Sequence, residues 1–105
     1  MNASTVVTQR TAIVEEELHL SLAELARACR AAEAEIQVWV VEGVLEPVGA
    51  SPSEWRFTGA SLRRARVALT LTRELEINAP GVALALDLMD EIAALKAGLR
   101  RAGGR

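Results

Sequence analysis

NAPGVALALDLMDEIAALKAGLRR, residues 78–101, is the stretch on which the reading of the fold turns. Asn78-Ala79-Pro80 is a helix start: an Asn side chain accepts from free backbone N–H groups, and Pro suits the first turn. Past Gly81, in the first turn, no breaker follows until Gly98. Two apolar rows run along this helix. Ala85, Leu88, Ile92, Leu95 and Leu99 alternate in steps of three and four, the spacing of a coiled-coil seam. Val82, Leu86, Met89 and Ala93 form a second row, centred roughly 120° from the first at about 100° per residue. Asp87, Asp90, Glu91 and Arg101 take the remaining arc. A helix packing only on its own domain needs one stripe. The second stripe therefore predicts another surface: one face belongs to the domain and the other meets a second copy or a partner.

The chain has 105 residues, which is room for one domain. Half of them are hydrophobic, yet only 3% are aromatic and Tyr is absent. Such a core is built from Ala, Val and Leu, which favours helix packing. No apolar run reaches the ~18 residues of a membrane span, and MNASTVVTQR lacks the basic-then-apolar order of a secretory signal. The single cysteine, Cys29, makes neither an internal disulfide nor a metal cluster. These features together predict a cytoplasmic protein. The net charge of −2 conceals an asymmetry. Residues 12–58 carry nine glutamates against Arg27, Arg30 and Arg56, whereas residues 59–77 carry four arginines against two glutamates. The first half is thus an acidic lobe.

In chain order, residues 1–11 are polar and aperiodic and are expected to form a disordered arm. Residues 12–77 read as the main domain, 78–101 as the long helix, and 102–105 as a frayed tail. Ile13 to Leu20 alternates as a short strand. Ser21 stands three residues before Glu24, the spacing of a capping box, and opens a helix with Leu22, Leu25, Ala26 and Cys29 inward. A second helix is predicted from Glu33 to Glu42, burying Ile36, Trp39 and Val40 and ending at Gly43. The pair is a helix-turn-helix unit. Val44-Leu45-Glu46-Pro47, the turn-rich 49–53 and the returning strand 54–58 predict a small β wing. A third helix follows, Leu62 to Ile77, with Leu62, Ala65, Leu69 and Leu75 as its buried row. The expected fold is mostly α with this small wing: a winged helix-turn-helix followed by a long C-terminal dimerisation helix.

The chemistry-bearing residues are few. One His, one Cys and scattered glutamates supply no nucleophile–base–orienter set, so no catalytic residue, metal site or cofactor is expected. A helix-turn-helix invites a DNA-binding reading, but phosphate affinity rests on Lys and Arg. The second helix, AEAEIQVWVVEG, holds Glu33, Glu35 and Glu42 and no cation. Arg63, Arg66 and Arg73 share one face of the third helix and are the counter-evidence; they look like a solvated helix side. Direct nucleic-acid binding is therefore disfavoured, and an acidic lobe suits a basic protein partner. Trp55, beside Glu54 on the wing, is the natural anchor.

At this point the residues carry a resemblance. Gly43-Val44-Leu45-Glu46-Pro47, Trp55-x-Phe57, Arg73-Glu74-Leu75, and Pro80 to Leu86 followed by Leu88-Met89-Asp90-Glu91-Ile92 resemble the CbpM chaperone-modulator family, a branch of the MerR-type helix-turn-helix superfamily. The resemblance runs from about Leu20 to Lys96. It implies a homodimer that binds the J-domain of a CbpA/DnaJ-like co-chaperone. Such a protein inhibits that partner's co-chaperone and DNA-binding activities and so modulates the DnaK (Hsp70) system. J-domains present a basic helix to Hsp70, which an acidic competitor would mask. From charge and expected exposure, the J-domain contact is assigned to Glu35, Glu42, Glu46, Glu54 and Trp55. The dimer interface is assigned to Ala85, Leu88, Ile92, Leu95 and Leu99. The alternative is a MerR-type DNA-binding transcription regulator on the same scaffold.

Overall fold

A computed structural model describes residues 18–103 and shows four helices. They are α1 (Leu22–Cys29), α2 (Glu33–Val41), α3 (Gly59–Glu74) and α4 (Ala79–Gly103). The capping box is formed in full: Glu24 N–H donates to Ser21 Oγ at 3.1 Å, and Ser21 N–H donates to Glu24 Oε1 at 2.8 Å. These bonds hold the Glu24 carboxyl below its usual pKa, the backbone donor first and the Ser21 side chain second. Leu22, Leu25, Ala26 and Cys29 all point into the core, as their spacing requires. Arg30 then takes a left-handed conformation (φ 57°), and Ala31 N–H reaches back to the Ala26 carbonyl at 2.9 Å. This closes α1 and turns the chain directly into α2.

Both α2 anchors, Ile36 and Trp39, are buried, with Val40 half-buried behind them. The helix stops at Glu42, and Gly43 continues at φ 82°, where a side chain would be strained. The core cluster joins α1 and α2 to Val44, Leu45 and Phe57, to Ala65, Ala68 and Leu69 of α3, and to Val82 and Leu86 of α4.

The expected wing is much reduced. The described residues contain no continuous strand, only two isolated antiparallel bridges, Leu20 with Phe57 and Val48 with Arg56. Val44 and Leu45 do not extend into a strand, because their N–H groups bond the Trp39 carbonyl and their side chains fill the core. Gly49 (φ 129°) allows the turn, since a Cβ there would lie 2.6 Å from the Glu54 carbonyl oxygen. Of the strand expected over Ile13–Leu20, residues 13–17 lie outside the described residues, and residues 18–20 show the Leu20 bridge alone.

Helix α3 begins at Gly59 and ends at Glu74, three residues earlier at each end than the sequence pattern predicts. Thr58 caps it, accepting from Ser61 N–H. Ala65 and Leu69 are buried and Leu62 is half-buried, but Leu75 is 63% exposed rather than inward. The cause is local. Glu76 adopts φ 56° and Ile77 N–H turns back to the Leu71 carbonyl, so the chain leaves the helix axis with Leu75 facing outward.

Asn78 caps α4 as expected, its Oδ1 accepting from Gly81 N–H at 2.9 Å. The helix continues through Gly103, and residues 104 and 105 of the expected tail lie outside the described residues. Only the start of the row from Val82 packs on the domain. Val82 and Leu86 are buried, while Met89 is 48% exposed and Ala93 is exposed, because the helix has by then run past the lobe. Every residue from Asp87 to Lys96 is exposed.

Candidate partner-binding surface

The connection from α2 to the hairpin meets α3 and α4 around Arg64. Its Nε–H donates to the Val44 carbonyl at 2.6 Å. Its guanidinium also pairs with Asp90 at 2.9 Å and Asp87 at 3.6 Å. One side chain therefore ties together three elements that no local sequence pattern relates. The bond is part-buried, and losing its donor removes a hydrogen bond from a charged group. Arg64→Ala is expected to lower stability by about 1–3 kcal/mol. Asp90→Ala breaks only a half-exposed ion pair and should change it by less than about 1 kcal/mol. Urea denaturation of the two variants measures the contrast.

An open cleft of about 440 Å³ lies beside Arg64, lined by Gly43, Val44, Glu46, Ala60, Ser61, Asp87 and Asp90. Three carboxylates face a single guanidinium there, so the cleft keeps a negative balance. Glu42 immediately precedes it as the exposed cap of α2. Glu42 and Glu46, assigned to the acidic surface from sequence, thus lie at one edge. Asp87 and Asp90 of α4 extend that surface, although the sequence pattern placed them merely on the helix's outer arc.

The other assigned residues are dispersed. Glu35 is not free: its carboxylate lies 3.5 Å from Arg73 of α3, with its side chain 28% exposed. Arg73 also donates to the Arg30 carbonyl at 3.1 Å, so this pair braces the α1–α2 turn against α3. Glu54 is exposed at the hairpin turn, its N–H bonded to the Ser51 carbonyl. Trp55 is half-buried and stands edge-on to Phe57, ring centroids 6.0 Å apart. On α4, Leu88, Ile92, Leu95 and Leu99 are between 51% and 73% exposed, and Ala85 is half-buried. The seam is an uncovered apolar face in the single chain.

Burial pushes the Cys29 thiol up, against the weaker pull of Arg66 and Arg73, so the group is not a thiolate nucleophile at neutral pH. Among the described residues, no three or more His, Cys, Asp or Glu side chains are gathered to hold a metal ion. Among the described residues, no helix is long and apolar enough to cross a membrane.

A mostly helical chain with a helix-turn-helix, a long final helix and an acid-lined cleft has the layout of a regulatory helix-turn-helix protein. The family model for MerR helix-turn-helix regulatory proteins matches residues 20–102. The chain is 41% identical over 88 residues to the chaperone modulatory protein CbpM of Coxiella burnetii, covering 84% of this chain and 83% of that relative. A CbpM of Pseudomonas putida is 44% identical over 64 residues, 60% of this chain and 63% of its own length. A CbpM of Pseudomonas entomophila is 40% identical over 62 residues, 55% of this chain and 61% of its own. The chain belongs to the CbpM chaperone-modulator family within the MerR-type helix-turn-helix proteins.

Proposed function

We propose that this chain is a non-enzymatic, homodimeric, cytoplasmic modulator that binds the J-domain of a CbpA-type co-chaperone and inhibits it by competitive masking. The observation that carries the reading is the charge of the helix-turn-helix surface. Residues 31–55, which hold the would-be recognition helix and most of the hairpin, contain five glutamates and no Lys, Arg or His. A surface of this kind repels phosphate and attracts a basic helix. Glu42 and Glu46, continued by Asp87 and Asp90, would meet the basic face that a J-domain offers to Hsp70. Glu54 and Trp55 would flank it from the wing-like hairpin. The seam of Ala85, Leu88, Ile92, Leu95 and Leu99 would close the dimer.

The reading predicts that rising concentrations of this protein suppress J-domain-stimulated Hsp70 ATPase activity to the basal level. Stimulation that persists at saturating protein contradicts it. The alternative, a DNA-binding regulator, draws on Arg63, Arg66 and Arg73 of α3. It requires a sequence-specific band in a gel shift at matched salt, where masking requires none. Arg73 is already engaged by Glu35 and the Arg30 carbonyl, which weakens that reading.

A further inference from the structure

Helix α2 is apolar on both sides. Ile36 and Trp39 enter the core, yet the opposite arc is formed by Ala34, Gln37, Val38 and Val41, all exposed. Val38 is 47% exposed and Val41 81%. The solvent side of a surface helix is ordinarily charged, and valine is a poorer helix former than the charged long-chain residues that usually stand there. Folding alone gives no reason for these two valines. At about 100° per residue, Glu33 borders the arc on one side, with Glu35 and Glu42 on the other. A shallow depression continues from it between Ala23 of α1 and Pro52 and Ser53 of the hairpin, with Glu33 and Gln37 in its lining.

We infer that this outward stripe of α2 is the apolar seat for a basic amphipathic helix, the J-domain helix of the preceding proposal, on which the inference rests. Ala34, Val38 and Val41 take the partner's apolar ridge, and the exposed Glu33 and Glu42 meet the cations beside it. This is helix-on-helix recognition with a charged rim. Charge selects the occupant. A nucleic acid finds no cation between residues 31 and 55. A second copy docked across a two-fold axis would bring Glu33, Glu35 and Glu42 against their own equivalents.

The test is titration of a CbpA-type J-domain into the full chain carrying Val38→Ser and Val41→Ser. These changes remove apolar contact and leave every charge in place. The dissociation constant is expected to rise about tenfold or more, with its salt dependence unchanged and the light-scattering mass unaltered. Affinity within twofold of the unsubstituted chain overturns the inference and leaves the J-domain reading standing. A changed oligomeric mass assigns the stripe to a second copy and also overturns it. Absence of binding by the unsubstituted chain overturns both readings together. Should the double variant unfold, Val41→Ser alone decides at its well-exposed position: about threefold weaker binding supports the seat, and unchanged binding removes it.

Discussion

The Leu88→Asp/Ile92→Asp double variant is expected to run as a monomer in light scattering, and the unsubstituted chain as the proposed dimer. The argument begins with helix length. Helix α4 has 25 residues, but its burial on the domain ends with Leu86. Most helical stability in proteins comes from tertiary packing, yet beyond the Arg64 pairs with Asp87 and Asp90 the distal turns of α4 bury no residue in the single chain. It nevertheless carries Leu88, Ile92, Leu95 and Leu99 at coiled-coil spacing, each more than half exposed. A contiguous apolar row of this kind marks an interaction surface. Two carboxylates in its middle would have to be desolvated opposite their own copies, at a cost of several kcal/mol. Far-UV circular dichroism should also lose the helicity of the distal turns. A double variant that remains a dimer places the interface elsewhere.

Charge reversal at Glu42 and Glu46 is the second large effect. Both side chains are exposed and neither anchors the fold, so Glu42→Lys/Glu46→Lys should melt close to the unsubstituted chain. Binding of a J-domain should nevertheless weaken about tenfold at low salt, because each reversal exchanges an attraction for a repulsion at the partner's basic helix. Glu35→Lys is the informative contrast. It removes the Arg73 pair that braces the α1–α2 turn and puts two cations together, so it should destabilise the domain as well. Unchanged affinity in the Glu42/Glu46 variant would remove the cleft edge from the contact.

The helical part of this architecture was legible wherever a local rule governed it. Ser21 with Glu24, Asn78 before Pro80, and the inward set Leu22, Leu25, Ala26 and Cys29 follow from spacing alone, and the chain obeys them. The misreadings arise where the decision is tertiary. Leu75 fits the buried row of α3 until the left-handed turn at Glu76 carries it outward. Val44 and Leu45 have the composition of a strand, but the space beneath Trp39 claims both. Arg64 reads as one of four arginines on a helix; its hold on the Val44 carbonyl and Asp90 depends on how three elements meet. Similarly, Glu35 counts as a free acid in sequence and is paired in the fold. The outer valines of α2 escape notice because a helix apolar on both sides has no amphipathic signal to separate its faces.

The acidic surface bears the central claim, and one titration tests it most directly. A CbpA-type J-domain titrated into the unsubstituted chain at about 50 mM and again at about 300 mM salt should bind saturably at the lower ionic strength. Binding should then weaken severalfold at the higher one, as screening shortens the reach of the glutamates. No detectable binding at low salt would contradict the account.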